Sequence, residues 1–269
     1  MRYGMPHILE LKTTEANAAL CRELGLAFVE LSMCLPEYQT DKLDIARLAE
    51  VAERYGVYYT IHLDDSYSPC DFNDRIAAAY TETVLQTIDV AKKLAVPVVN
   101  MHLHPGTYFA LPDRKVYLFD EYEAEFRSKL AAFRDACTQA VGGSGIFICV
   151  ENCGDFGNKP YVYNGLELLL ESPAFALTFD VGHNAAAGYT DEPAVMRHAD
   201  RLRHMHIHDA DGRSNHLALG DGGVNLIKYI DIARLYDCRA VLEVKTVYGL
   251  RKSVEWIKNK GMLHEMPIK

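Results

Sequence analysis

The chain has 269 residues, of which 49% are hydrophobic and 24% charged, and its formal net charge at pH 7 is −9. So much apolar material allows a large core and excludes a chain that stays disordered for lack of one. An acidic protein is poorly suited to hold a phosphate backbone, which needs a basic face, so nucleic acid is not expected as a partner.

Neither a targeting segment nor a membrane segment is recognisable. Residues 1–6 have no apolar signal region, and no apolar stretch approaches the ~20 residues that a membrane helix needs. The seven cysteines are odd in number and include no CxxC pair, which is typical of reduced, structural thiols. We therefore expect a cytoplasmic protein; its oligomeric state cannot be read from the sequence.

Short β-rich runs alternate with segments of helical periodicity along the whole chain. Strands are predicted at 6–11, 27–33, 57–63, 96–103, 146–151, 175–181, 202–208 and 239–245. Helices are predicted near 13–24, 43–55, 72–94, 117–141, 163–171, 192–199, 225–237 and 249–260. Eight strands alternating with eight helices predict a parallel (β/α)₈ TIM barrel, and the lack of a linker predicts a single domain over residues 1–269.

The long loops 64–72, 105–116, 152–162 and 209–224 all follow predicted strands. In a barrel they gather over the carboxyl ends of the strands, where barrel enzymes place their chemistry. Six consecutive strands end there in a histidine, aspartate or glutamate directly after apolar residues. These residues are His62, His102, His104, Glu151, Asp180, His183, His204, His206, His208 and Glu243. Lone carboxylates at such positions are costly to desolvate, and a divalent cation removes that cost for several at once, which predicts a metal site.

Single members of this set also fit simpler structural roles. Lys245 shares a strand face with Glu243, so an ion pair between them is an alternative, and Asp180 could cap a following turn. The three histidines of the seventh strand also share one face, but they span too great a length for all to bind one ion. His102 lies deeper than His104, so we expect a core position for it.

Four of these residues resemble the metal ligands of the xylose isomerase-like barrel superfamily, which includes sugar-phosphate isomerases and epimerases and the related endonuclease IV. The family's Glu, Asp, His and Glu on strands five to eight match Glu151, Asp180, His206 and Glu243. His206 rather than His208 fits the family pattern of His, apolar, any residue, Asp. Residues 215–222, NHLALGDG, are similar to the family's His-x-x-x-Gly-x-Gly loop.

The endonuclease branch of the family has further metal ligands, and most have counterparts here. His62 and the sequence His104-Pro105-Gly106 match its ligands for a second ion. His183 and His216 match two ligands for a third ion, but Ser214 stands where that branch has an aspartate. A hydroxyl is a poor replacement for a carboxylate ligand, which argues against a three-zinc phosphodiesterase.

The resemblance implies a sugar or sugar-phosphate isomerase or epimerase that depends on a divalent ion, Zn²⁺ or Mn²⁺, with Co²⁺ or Mg²⁺ as alternatives. Glu151 and Glu243 would bind the metal and act as acid and base next to a carbonyl, through an enediolate, while His183 and His216 would hold substrate hydroxyls. His62 and His104 would serve a second metal ion or the substrate. The alternatives are an endonuclease IV-like zinc phosphodiesterase and a barrel that binds sugar or metal without turnover.

Overall fold

The structure, a computed structural model, describes residues 1–263 and contains a closed barrel of eight parallel strands. The strands in chain order are β1 (Arg2–Pro6), β2 (Phe28–Ser32), β3 (Tyr58–His62), β4 (Val98–His102), β5 (Tyr108–Ala110), β6 (Lys115–Tyr117), β7 (Phe147–Glu151), β8 (Phe175–Asp180), β9 (Leu202–Ile207) and β10 (Arg239–Leu242). Strands β5 and β6 form a separate antiparallel hairpin. The barrel closes where β1 pairs with both β2 and β10, which confirms the predicted TIM barrel.

Helices follow the strands and form the outer layer. They are α1 (Thr14–Glu23), α2 (Ile45–Tyr55), α3 (Asp74–Lys93), α4 (Leu118–Glu121), α5 (Glu123–Val141), α6 (Pro160–Leu170), α7 (Val181–Ala186), α8 (Glu192–Arg197), α9 (Leu226–Leu235) and α10 (Val247–Asn259). Their ends follow the sequence signals: the Asn73 side chain caps the start of α3, and Gly56 ends α2 with φ of 62°. None of the helices in residues 1–263 is long and apolar enough to span a membrane.

Three predicted elements differ from the structure. The sequence predicts the first strand at 6–11, but β1 covers Arg2–Pro6. The segment after Pro6 is a turn in which Ile8 is buried and Leu9 is exposed, so its apolar residues do not belong to a strand. The predicted helix 117–141 is divided at Tyr122 into α4 and α5. The predicted loop 105–116 carries the hairpin of β5 with the start of β6.

The barrel interior changes from apolar to polar along the strands. Val98, Cys149 and Ala176 pack together near the amino ends, against Phe147. Because side chains alternate along a strand, the same inward face continues through Asn100, Glu151 and Thr178 towards the carboxyl ends. The polar residues at the carboxyl ends of the strands therefore pack on apolar residues inside the barrel. The larger hydrophobic cluster lies between the barrel and its helices.

Candidate metal centre

Four side chains from adjacent strands converge at the carboxyl ends of the barrel. Ligand atoms of Glu151, Asp180, His206 and Glu243 all lie within 4.8 Å of one another. The Nδ1 atom of His206 is at the centre, 3.3 Å from Glu151 Oε1, 3.2 Å from Glu243 Oε2 and 3.7 Å from Asp180 Oδ2. The structure thus brings together the four residues that the sequence predicts as metal ligands.

A bulge between β8 and β9 sets this alignment. Leu177 pairs with Leu202, but the next residue, Thr178, pairs with His204, so Arg203 is an extra residue in β9. The shift puts His206 directly opposite Asp180, and β-bulges are common beside active sites because they re-aim side chains.

The cluster is buried and rich in negative charge. Asp180 and His206 have no exposed surface, Glu151 is 1% exposed and Glu243 is 8% exposed. Within residues 1–263, the only lysine or arginine that contacts these three carboxylates is Lys245, whose Nζ lies 2.7 Å from Glu243 Oε1. The ion pair considered from the sequence is therefore present, but it uses one oxygen of one carboxylate and leaves the other two carboxylates without such a partner.

Without a metal ion, imidazoles balance the charge of the cluster. Burial would raise the pKa of Glu151, but His206 and His102 outweigh it and hold that pKa well below its usual value. Burial likewise would lower the pKa of His206, whereas Glu151 and Glu243 raise it well above the usual range. A proton on His206 thus occupies the place where a cation would provide the same compensation.

Several polar atoms of the cluster form no hydrogen bond within residues 1–263 and are therefore free to bind a metal ion. Among the described residues, Glu151 Oε1, His206 Nδ1 and Glu243 Oε2 are buried and make no hydrogen bond, because their short contacts lack hydrogen-bond geometry. Buried polar atoms are rarely left unsatisfied, and each costs free energy. These three atoms and an oxygen of Asp180 lie within 4.8 Å of one another and form an oxygen-rich set with one nitrogen, which suits Mn²⁺, Mg²⁺, Co²⁺ or Zn²⁺.

Glu30 lies behind the His206 ring, in a contact that lacks hydrogen-bond geometry. Its Oε1 lies 2.9 Å from His206 Nε2, while its Oε2 accepts a hydrogen bond of 2.9 Å from Thr60 and lies 2.8 Å from His204 Nε2. A carboxylate at Nε2 favours the proton there and leaves Nδ1 free to bind a metal, as carboxylates behind metal-binding histidines do.

Neighbouring groups also orient the two inner carboxylates. Asn100 donates a hydrogen bond to Glu151 Oε2, which leaves Oε1 for the cluster. Asp180 caps α7 by accepting the backbone N–H of His183 at 2.6 Å, so the capping role considered from the sequence is also present. His208 Nδ1 accepts the backbone N–H of His216, so the proton is on Nε2, which donates to Asp180 at 3.1 Å.

Gly182 provides the space for this histidine. A Cβ atom at Gly182 would lie 1.8 Å from Cε1 of His208, a distance that no side chain tolerates. Glycine at this position is therefore required for the contact between His208 and Asp180.

His183 and His216 lie at the rim, and each side chain is 24% exposed. His183 Nδ1 is 3.3 Å from Glu151 Oε1, and His216 Nδ1 is 3.7 Å from Glu243 Oε2. Their rings are 6.0 Å apart between centroids. Each of the two glutamates thus has one rim histidine beside it.

Comparison with known proteins identifies the family. The model of the xylose isomerase-like TIM barrel family matches residues 18–260. The chain belongs to this family. A search of the curated proteins gives no sequence match.

Solved structures that resemble this xylose isomerase-like barrel include two sugar epimerases or epimerase-like proteins and a probable dehydratase. A D-tagatose 3-epimerase-like protein is 23% identical with a TM-score of 0.77, and the match covers 96% of each chain. The D-allulose 3-epimerase of a Methylomonas species, in complex with D-allulose, is 14% identical with a TM-score of 0.75, covering 98% of this chain and 97% of the other. A probable 3-DHS dehydratase of Bacillus anthracis is 14% identical with a TM-score of 0.72, covering 97% and 100%.

Of the two histidines that match the second metal site of the endonuclease branch, His62 lies beside the cluster but His104 does not. His62 Nε2 lies 3.4 Å from Glu151 Oε2, as a second site beside the cluster would require. However, His102, predicted to lie in the core, is the histidine of β4 at that oxygen, with Nε2 at 3.3 Å. His104 lies behind it, with the rings 5.4 Å apart, and is in none of the groups of potential ligands in residues 1–263. Strand β4 ends at His102, so alternation along the strand no longer decides where His104 points.

Glu30 and Asn100 are functional candidates that the sequence patterns do not single out. Both are fully or nearly fully buried, at 4% and 0% exposure. The signal for Glu30 is a single charged residue within the apolar run of β2, on the inward face by the period of two. Asn100 lies two residues before His102, on the same inward face of β4. It is also a polar residue within an apolar run, but it carries no charge.

Proposed function

We propose that this protein is a divalent-metal-dependent sugar isomerase or epimerase that moves a proton at a carbon next to a carbonyl. The observation that carries the proposal is the pair of unpartnered carboxylate oxygens, Glu151 Oε1 and Glu243 Oε2, on either side of His206 Nδ1. The similarity to sugar epimerases of the same barrel family supports it.

In this proposal Glu151, Asp180, His206 and Glu243 hold the ion. When bound, the ion would polarise the substrate carbonyl and offset the negative charge that develops on its oxygens as the proton leaves. The two glutamates come from β7 and from the residue after β10, with β8 and β9 between them. They therefore reach the substrate from two directions, which lets one remove a proton and the other return it, either to the neighbouring atom or to the opposite face of the same carbon.

The remaining polar side chains would bind and orient the sugar. His183 and His216 at the rim would hold its hydroxyls, and Lys245, whose side chain is 56% exposed, would donate to an oxygen near Glu243. A cavity of about 250 Å³ lined by His62, Glu243 and Lys245 offers the place for the reacting part of the sugar.

Hydrogen exchange in D₂O tests the proposal. Metal-loaded protein incubated with ketohexoses should introduce deuterium at the carbon next to the carbonyl, detected by NMR and mass spectrometry. Glu151→Gln and Glu243→Gln should each reduce exchange by about 10²-fold or more, since positioned acid–base groups contribute on that order. Glu255→Gln, an exposed residue of α10, is the matched control. Tight metal binding without exchange of any ketose would favour the non-catalytic sugar- or metal-binding barrel.

A second candidate is a zinc phosphodiesterase, favoured by the two imidazoles beside Glu151 Oε2. With His62 Nε2 at 3.4 Å and His102 Nε2 at 3.3 Å, Glu151 could bridge two ions. The hydrogen bond from Asn100 to that oxygen, the serine at position 214 and the net charge of −9 count against it. Nicking of duplex DNA at abasic sites, with more than one ion per chain by elemental analysis that falls to one in His62→Ala, would support hydrolysis over isomerisation.

A further inference from the structure

A second and larger cavity, of about 760 Å³, lies between the loop after β3 and the hairpin of β5 and β6. Asp65 lines this cavity and also the smaller cavity that contains Glu243 and Lys245. The shared wall residue shows that the two cavities are neighbours. We call the larger cavity the side pocket; its lining includes Asp65, Tyr67, Asp71, Tyr80, His104 and Tyr108.

The lining combines aromatic rings with carboxylates and hydroxyls. Tyr67 and Tyr80 meet edge to face with centroids 5.4 Å apart, and Phe72 and Phe119 do the same at 5.5 Å. Small-molecule sites are commonly built from such aromatic walls with a few polar groups. A sugar ring matches this lining, because its C–H faces pack on aromatic rings while its hydroxyls bond to carboxylates and phenol groups.

His104 contributes a polar atom that the rest of the structure does not use. Its Nε2 is buried and has no hydrogen-bond partner among residues 1–263. The ring lies between the side pocket, which it lines, and His102, 5.4 Å away between centroids. Because the nitrogen is buried, a ligand hydroxyl would become its partner when the ring turns towards the side pocket, and satisfying buried polar groups is a strong requirement in folded proteins.

The hairpin forms an apolar rim to the side pocket. Gly106 precedes the hairpin and has a φ of 77°. A Cβ atom there would lie 2.4 Å from the ring of Phe119, so the glycine lets the backbone pack against this ring. On the hairpin itself Tyr108 is 44% exposed and Phe109 is 62% exposed. Contiguous exposed apolar surface marks ligand-binding grooves and other interaction sites, whereas singly exposed apolar residues are normal.

We propose that the side pocket binds a second ring of the substrate, so that the protein prefers keto sugars carrying a glycosidic substituent to free monosaccharides. The inference rests on the proposed function only in placing the carbonyl-bearing unit at the metal cluster. The aromatic lining, the shared Asp65 and the unused His104 nitrogen supply the site for the substituent.

The test compares D-fructose with isomaltulose, a disaccharide in which glucose is attached to O6 of fructose and the carbons near the carbonyl are free. With metal-loaded, full-length protein in D₂O, kcat/KM for deuterium exchange should be about ten-fold or more higher for isomaltulose, equivalent to about 1.4 kcal/mol of additional binding in the transition state. Tyr80→Ala should remove most of this preference. Tyr236→Ala, after α9 at the opposite end of the barrel, should leave both rates unchanged. Equal rates for the two sugars, unaffected by Tyr80→Ala, would overturn the proposal.

A second measurement separates the pocket from the reaction. Phenyl β-D-glucopyranoside has no carbonyl, so its binding to metal-free protein, measured by calorimetry, does not depend on turnover. Binding that Tyr80→Ala abolishes would support the pocket even if no ketose exchanges, in which case the proposed function alone fails. Exchange of fructose with no binding of the glucoside and no preference for isomaltulose would remove the pocket and retain the function. Should Tyr80→Ala lack the native circular dichroism spectrum, Tyr67→Leu takes its place.

Discussion

Oε1 of Glu30 lies 2.9 Å from Nε2 of His206, which places a negative charge behind the ring nitrogen that faces away from the three carboxylates. The other oxygen of Glu30 is held by Thr60 and His204, so the carboxylate cannot easily rotate away. Glu30 is 4% exposed and lines the smaller cavity together with His62 and Glu243. We propose that Glu30 positions His206 within the four-residue cluster.

Replacing this carboxylate should weaken metal binding. Glu30→Gln removes the negative charge behind His206, and the Kd for Mn²⁺ should rise by about 10- to 100-fold, the usual cost of losing such a partner. Isothermal titration calorimetry measures it. Glu37→Gln, an exposed residue shortly after β2, makes the same change in charge and should bind Mn²⁺ like the wild type. A Glu30→Gln variant with unchanged Kd would show that the contact does not orient the ring.

Metal affinity should increase with pH. Burial lowers the pKa of His206, but Glu151 and Glu243 outweigh burial and raise that pKa well above its usual value, so the metal-free ring carries a proton at neutral pH. A metal ion must displace this proton, and binding consequently strengthens as pH rises above 6.5, the ordinary pKa of histidine. Titrations in buffers of different ionisation enthalpy count the protons released. Binding without proton release at neutral pH would contradict a protonated His206.

The metal-free protein should lose stability in mild alkali. Burial lowers the pKa of both His62 and His183, but contacts with Glu151 and, at His183, Asp180 raise them to about 9 and about 10. Since these folded-state values exceed the unfolded value of 6.5, the stabilisation is complete below about pH 6.5 and disappears as pH rises through 9 to 10. Thermal melts from about pH 6 to 10 should show Tm falling, and falling less with Mn²⁺ present, because the ion replaces the lost positive charge. The same fall with and without Mn²⁺ would count against this coupling.

Adding one methyl group at Gly182 should disrupt the cluster. Gly182→Ala would bring Cβ within 1.8 Å of the His208 ring, which can move only by leaving Asp180. We expect a loss of about 1–3 kcal/mol in the free energy of unfolding, typical of overpacking, together with weaker Mn²⁺ binding. Urea denaturation and calorimetry provide the two readouts. Gly143→Ala is the control, since a Cβ there meets nothing within 4 Å; equal behaviour of the two variants would argue against the role of the contact.

The sequence predicts those features that depend on periodicity within regular strands. Glu151, Asp180 and His206 end or lie near the end of strands whose alternation fixes the inward face, and adjacent strands bring them together. The choice of His206 over His208 comes from the family pattern. Periodicity alone does not give it, because the register that puts His206 opposite Asp180 depends on the bulge at Arg203.

The residues that escape prediction lie where this periodicity gives no answer. Past the end of β4 the backbone no longer alternates, so the sequence does not rank His102 and His104 by depth. Glu30 is one layer below the ligands, and its role depends on contacts with β3 and β9, which are distant in sequence. The true position of β1 depends on pairing with β10 at the other end of the chain, whereas the local alternation at residues 7–11 favours a strand there.

The most direct test of a shared metal ion is a crystal structure of the Mn²⁺-loaded protein with anomalous scattering recorded for manganese. A shared ion should give a peak at roughly 2.0–2.2 Å from oxygens of Glu151, Asp180 and Glu243 and from Nδ1 of His206. A protein saturated with Mn²⁺ that shows no peak between these four residues, or shows one bound only by His62 and His102, would contradict it.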